Sequence, residues 1–381
     1  MIATTKPFIS KKAGAGCRVR EASFADHAQI ATLESRYGLV PKPYAEWTHL
    51  WEGNPAYQTL PDWSIGWVVE NHSGEIVGHI ANIPSHMEFK GRRLLAASGS
   101  GLVVDEAYRS YAFPLFSQFL NQPNPDLIVN TSVNANGLNL HTLFHFQRVP
   151  SGAWNRSHFW ITDYSNFAAR MLTQRDWPGL LRYPVAVALA VKDVFHPSVP
   201  SGLSGGLQAR WCDRFDKRFD EFWGRTQETS AAVLSSDRSS NTLNWHFNFP
   251  LAQGTAWIAT VTDTGSKLLA YAVFLRQDNT DVALKRMRLV DFQTIDGNSE
   301  HLVPVLALAL QKCRQQEIHM LEAVGFAPDK QRVLARIAPH SREFPCWLYF
   351  YKVSKKNKLL AEELKDPAAW DPSPFDGDGS L

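Results

Sequence analysis

The sequence predicts an α/β (α+β) protein of two tandem domains, each a mixed, mostly antiparallel twisted sheet flanked by helices. Three observations carry this. At 381 residues the chain is longer than one typical domain, and each half is long enough to bury a core of its own. Apolar residues make up 44% and charged residues 20%, a globular balance. One order of elements also occurs twice: residues 75–81 match 267–273, 127–133 match 318–324, and 158–164 match 347–353. The repeat is one of order, not of letters. The expected units are a domain over 1–165, a helical linker over 166–206, a second domain over 207–356 and a loose tail over 357–381.

In the first half, residues 18–21 read as a strand, and Ser23 with Asp26 has the spacing of a capping box. Ile30, Leu33 and Tyr37 then recur at helical spacing up to Gly38. A second helix over 44–51 carries Trp47 and Trp51 on one face. Strands over 65–70 and 75–84 flank the turn His72-Ser73-Gly74, and Lys90-Gly91 turns the chain into a strand over 92–104. A loop and a helix follow, then an apolar strand over 127–133, a helix from Asn134 to Phe146, and an aromatic strand over 158–164.

The stretch 166–204 reads as helix and linker broken by Pro178, Pro184, Pro197 and Pro200, with a boundary at Gly202 to Gly206. Its most apolar run, 180–195, is interrupted by Arg182, Pro184 and Lys192 and is too short to span a bilayer. A buried inter-domain helix is the favoured reading, and peripheral membrane contact is the rival. The second half repeats the plan: helices over 215–226 and 230–235, a hairpin over 257–275 around Thr264-Gly265, a strand over 282–292, a helix after Ser299, a strand over 318–324, a helix over 329–337 and a last strand over 347–353.

A net charge of +2 argues against nucleic acid as a partner. Cys17, Cys212, Cys313 and Cys346 show no metal-site or redox spacing, which suits a reducing cytoplasm. Lys6, Lys11 and Lys12 have no apolar run behind them, so no signal peptide is expected.

The chemistry is expected where the strand over 92–104 feeds a helix, because a helix start offers free N–H groups and a positive dipole end to phosphate. The residues Leu102-x-Val104-x-x-x-Tyr108-Arg109-x-x-Ala112, followed by Asn134-x-x-Gly137 and Phe146, resemble the coenzyme-A-binding core of the GNAT superfamily of N-acetyltransferases. That resemblance implies acetyl-coenzyme A or another acyl-coenzyme A as a substrate, with no metal. It places the pyrophosphate on Arg109, Ser110, Tyr111, Ala112 and Phe113, and the thioester beside Val103 and Val104, with Asn134 near the pantetheine arm. Pro114 departs from the family pattern and removes one N–H donor. His141 stands where the family often has a tyrosine, and its reference pKa suits proton donation to a departing thiolate. Asp105 is the first choice of base for the acceptor's ammonium proton, with His79, His86 and Glu88 as alternatives; Ser98 and Ser100 line the same groove. In the second half Asp291 and Asp296 stand where phosphate would have to bind and are expected to repel it.

The implied function is transfer of an acyl group to an amine or hydroxyl of a small-molecule or sugar acceptor, by a monomer or homodimer. Similar double-domain proteins accompany bacterial polysaccharide synthesis, and Trp47, Trp51, Trp154 and Trp160 would then stack on a sugar. The rivals are a GNAT-fold binding protein or scaffold with a dead cofactor loop, for which Pro114 speaks, and an aminoacyl transferase resembling the peptidoglycan-bridge enzymes, which the small net charge and the lack of heptads disfavour.

Overall fold

The computed structural model describes residues 16–195 and 207–381. Lys6, Lys11, Lys12, Pro197, Pro200 and the expected boundary at Gly202 to Gly206 lie outside the described residues. The first half runs β1 (Arg18–Glu21), α1 (His27–Arg36), α2 (Tyr44–Glu52), β2 (Gly66–Glu70), β3 (Ile76–Phe89), β4 (Arg92–Val104), α3 (Ala112–Leu120), β5 (Leu127–Asn130), α4 (Ala135–Leu143), β6 (Gln147–Arg148) and β7 (Arg156–Ile161). Two helices follow, α5 (Tyr164–Gln174) and α6 (Arg182–Val194). The second half runs β8 (Gln208–Cys212), α7 (Lys217–Thr229), β9 (Ser235–Ser236), α8 (Ser240–Ala252), β10 (Ala256–Thr262), β11 (Leu268–Arg276), β12 (Arg286–Thr294), α9 (Leu302–Gln315), β13 (Met320–Val324), α10 (Pro328–Ile337), β14 (His340–Glu343), β15 (Phe350–Val353) and α11 (Lys358–Glu363).

These elements make two mixed sheets flanked by helices, ordered β1-β2-β3-β4-β5-β15-β6, with β9 against β3, and β14-β7-β13-β12-β11-β10-β8. Among the strands of the described residues only β4/β5 and β12/β13 pair in parallel. The last strand of each half is exchanged. β7, expected to close the first domain, pairs with β13 and β14 of the second sheet. β15, expected to close the second, pairs with β5 and β6 of the first. The expected boundary after residue 165 therefore corrects to a pair of interlocked sheets. Both strands are short and aromatic-rich, and nothing in such a strand says which of two similar sheet edges it will join.

Each parallel pair separates early. β4 and β5 pair only at Ala96–Leu127 and Ala97–Ile128, after which β4 runs on from Ser98 to Val104 without β5. A bulge helps part them: β4 carries one residue more than β3 between the pairs His79–Val103 and Ala81–Ser100, and Gly101 there has φ +63°. The second sheet uses the same device, with Val290 as the extra residue of β12 opposite β11.

The first core gathers Ile30, Leu33, Trp47, Trp51, Phe116 and Phe119 on the sheet, and the indole N–H groups of Trp51 and Trp63 both donate to the Asn82 carbonyl. Three further expectations are corrected. The tail is packed, not loose: Trp370, Phe375, Asp376 and Ser380 are buried between the two sheets' cores. The run over 180–195 is no buried inter-domain helix, since of α6 only Ala186 is buried. Residues 230–235 are turn and strand instead of helix.

Candidate active site

The gap between β4 and β5 is held by a short polar chain. The Gly99 N–H, which would have bonded a parallel neighbour, donates to Asn130 Oδ1 at 3.0 Å. The same amide group then donates through Nδ2 to His141 Nε2 at 2.9 Å. With Nε2 accepting, the ring proton sits on Nδ1 and is donated to the Gly137 carbonyl at 2.9 Å. The ring is buried among Phe116, Phe146 and Phe350. Desolvation pushes its pKa down, against the opposing pull of the Gly137 carbonyl. His141 is thus a neutral imidazole with both nitrogens engaged, which corrects its expected role as proton donor to the thiolate. Asn134 caps α4, its side chain accepting from the Asn136 and Gly137 N–H groups at 3.0 Å each. The residue that spans the gap is Asn130. An Asn ending an otherwise apolar Leu-Ile-Val strand was the legible signal for it.

The loop beyond β4 is wound, not open. Asp105 accepts from the Ala107 N–H through its side chain and from the Tyr108 N–H through its carbonyl, Glu106 N–H donates to the Tyr37 hydroxyl, and Ala112 N–H donates to the Arg109 carbonyl. A 3-10 helix over Glu106–Tyr111 leads straight into α3, with Pro114 in the first turn of α3. Arg109 and Ser110 are exposed, and Arg109 has only Glu106 beside it at 3.7 Å. Phe113 is half exposed and stacks on Phe144 with ring centres 4.8 Å apart. Tyr111 and Ala112 are partly buried at the helix start, while Val103 and Val104 pair with β3 at His79 and Gly78. Asp105 is no free base: its other oxygen takes Arg36 Nη1 at 2.7 Å.

Titratable groups with unusual surroundings lie at the bulge. His79 is buried with no well-aligned hydrogen bond to either ring nitrogen, and burial lowers its pKa to about 4 against a weaker opposing pull from the Gly101 backbone. Glu34 Oε1 of α1 lies 3.7 Å from His79 Nδ1. It would also lie 2.9 Å from a Cβ placed on Gly101, so only glycine leaves room for it. Burial pushes the Glu34 carboxyl up to about 7, with Lys42 pulling the other way. At 3.7 Å the two groups are too far apart for a charge-assisted hydrogen bond, and each is held toward neutrality by desolvation. Among the alternatives, His86 lines a cavity of about 30 Å³ with Ser98, Trp245 and Leu381, and Glu88 lies apart, on a cavity of about 210 Å³ with Trp223. Ser98 is buried in that smaller cavity and Ser100 lies one turn of the pleat beyond it.

The tail straps the open end of β5. Thr131 N–H and the Ser132 hydroxyl both donate to Asp378, and Gly379 N–H donates to Thr131 Oγ1 at 2.7 Å. A Cβ on Gly377 or Gly379 would come within 2.9 and 2.8 Å of the Thr131 side chain. Ser380 takes His246 Nε2 on its carbonyl at 3.1 Å, and Leu381 packs on the first core.

Neither a family model nor a curated protein matches the sequence. Solved structures do. Saccharomyces cerevisiae N-myristoyltransferase with bound myristoyl-CoA superposes with a TM-score of 0.56 at 12% identity, over 91% of this chain and 82% of that one. A GCN5-related N-acetyltransferase from Kribbella flavida gives 0.51 at 12%, over 88% and 71%, and a probable N-acyltransferase from Enterococcus faecalis gives 0.51 at 12%, over 88% and 72%. The chain has the tandem GNAT fold.

The second GNAT unit has its own gap, between β12 and β13, and it is built differently. A cavity of about 160 Å³ remains there, walled by Arg288, Val290, Val324, Trp154 and the tail at Pro374 and Gly379. Asp291 does not face it as a repelling charge. It is buried against Arg238, which donates two hydrogen bonds of 3.0 Å, and takes a third from the Tyr271 hydroxyl at 2.9 Å. Arg238 also reaches Asp376 of the tail at 2.9 Å. Asp296 is exposed and closes a turn on Thr294 Oγ1 and the Asn298 N–H. Trp47, Trp51, Trp154 and Trp160 are all buried, so none is a platform for a sugar. Trp245 and Phe247 of α8 are core as well.

Proposed function

We propose that this chain is an acyl-CoA N-acyltransferase whose acyl donor enters the gap between β4 and β5. The observation that carries the reading is the coincidence, on one strand, of an edge freed from its neighbour at Ser98–Val104, a bulge at Gly101, and the Glu34–His79 pair behind that bulge. Paired shifts of this kind mark functional sites.

In this reading the acceptor nitrogen attacks the thioester carbon of acyl-coenzyme A. The C–N bond forms, the C–S bond breaks, and the sulfur leaves as thiolate. N–H groups on the free edge of β4 stabilise the developing oxyanion. Glu34 takes the proton lost by the nitrogen, a role suited to a carboxyl whose pKa has been brought to about 7. His141 is a positioning residue: through Asn130 it fixes the distance between the two strands. Arg109 lends positive charge at the mouth. The wound loop offers fewer free amides than an open one, so the pyrophosphate is held more by side chains than by backbone. The buried tryptophans lend a sugar acceptor no support.

The test is release of free thiol from acetyl-coenzyme A and from myristoyl-coenzyme A with a panel of amines, beside a thermal-shift titration of the same two donors. Turnover that rises with pH to a plateau above about 7 and flattens in Glu34→Gln is the expected result. His141→Gln is expected to lower the rate without moving that profile. The second reading, a binding protein without turnover, is favoured by one observation, the 3-10 winding of the loop. A thermal shift with no thiol released would select it.

A further inference from the structure

The helix α6 turns an apolar face to solvent. Tyr183, Val187, Val191 and Val194 of α6, with Leu180 in the turn before it and Phe195 just after it, recur at spacings of three and four, and each keeps between 52% and 84% of its surface exposed. This is not a frayed segment. Its opposite side is held down: Ala186 is buried, Leu189 packs on Ile161, Phe167 and Met320, and Asp193 takes the Tyr164 hydroxyl at 2.8 Å and His340 at 2.8 Å. A soluble helix anchored in this way normally shows a polar outer face. Six large apolar side chains in a row are an interaction surface.

We infer that this face rests on an anionic lipid surface. Three features favour that occupant. Cations accompany the stripe: Lys192 is exposed on α6, Arg182 stems from the inner side and lays its guanidinium over the Tyr183 ring, and Arg175 stands in the turn before it, against the single acid Asp176. The remaining acid of the helix, Asp193, is turned inward. Trp177, 54% exposed, stands before the helix and Tyr183, 60% exposed, opens it, and such amphipathic rings favour the boundary between water and hydrocarbon. The helix has 13 residues, about 20 Å, and among the described residues no helix is long and apolar enough to cross a membrane, so it would lie in the plane of the interface. A second copy of the same face is a poorer partner, because self-pairing would bring the cations of both copies to one seam.

The experiment is co-sedimentation of the full chain with phosphatidylcholine vesicles and with vesicles in which a third of the lipid is phosphatidylglycerol, alongside light scattering for oligomeric state. Wild type should pellet with the anionic vesicles. Val187→Asp with Val191→Asp should abolish pelleting at an unchanged melting temperature, since both side chains are exposed. Arg182→Gln with Lys192→Gln should weaken it by roughly 30-fold, the effect of removing two cations near an anionic surface. The inference is overturned if wild type pellets with neither vesicle, if the aspartate pair still pellets, or if wild type is a dimer that the aspartate pair dissociates, which would give the face to a second copy. None of these outcomes depends on acyl transfer.

Discussion

Asn130 does with one side chain what a strand neighbour would do with its backbone. It satisfies the Gly99 N–H on one side and the His141 ring on the other, 4% exposed. Asn130→Leu keeps the volume and strands both groups, so urea unfolding should report a loss of about 2–4 kcal/mol, the cost of two unsatisfied buried polar groups. The Glu34–His79 pair makes a second prediction at this scale. Glu34 titrates near 7 when folded against an ordinary 4.5, so its contribution is full below about 4.5 and fades as pH rises toward 7. His79 titrates near 4 against an ordinary 6.5, so its contribution is full above about 6.5 and fades as pH falls toward 4. In wild type the two slopes oppose each other over the shared window. Glu34→Gln should unmask the His79 slope, stability climbing between pH 4 and 6.5, and His79→Gln should unmask the reverse. Denaturant titrations at stepped pH would read this, and profiles parallel to wild type would refute the burial of either group. Sequence alone singled out His79 but not Glu34. Nothing in a helix sequence shows that its carboxylate will meet a bulge in a strand 67 residues later, at Gly101.

Among the elements, the strands of the first hairpins were the most legible. Arg92–Val104 is bounded by Gly91 on one side and the Asp105 cap on the other, so turn chemistry alone fixes its length. The loop after it was not legible in detail. Arg109 and Ala112 suggested an open phosphate loop, while Asp105 closes it by accepting two N–H groups, a competition between capping and ligand binding that the letters do not decide. The position of His141 in α4 suggests a proton donor, while its partner on β5 does not show in the sequence. Pro, Asp and Gly are also the residues of loose termini, so the letters of the tail do not reveal its packing. Here Gly377 and Gly379 are small so that Thr131 can approach, and Asp376 and Asp378 are hydrogen-bonded inside. Gly379→Val should therefore displace the tail: a melting temperature lower by several degrees and faster cleavage near residue 370 under limited proteolysis are the expected readings.

At the scale of the molecule, the two sheets cannot be pulled apart without breaking both. β7 lies between β13 and β14, and β15 between β5 and β6. The buried Arg238 joins Asp291 of the second sheet to Asp376 of the tail, which in turn is tied to β5 through Asp378. We expect one cooperative transition in calorimetry despite two GNAT units, and a fragment ending at residue 195 should be unfolded, with circular dichroism and exchange protection as the checks. Two separate transitions would contradict the interlock. The tandem architecture was legible because hydrophobic order repeats, while the exchange was not, because two near-equivalent edges accept the same strand.

The exchange also has a consequence for how the chain is made. The place between β5 and β6 stays vacant until residues 350–353 have left the ribosome, although every other strand of that sheet's path lies within the first 148 residues. Between the synthesis of residue 148 and that of residue 350 the nascent first sheet therefore carries an open, apolar slot. Synthesis that pauses before residue 350 prolongs that exposure, and a stop placed there leaves the first sheet without its closing strand and the second, which keeps β7, without the tail that Arg238 holds.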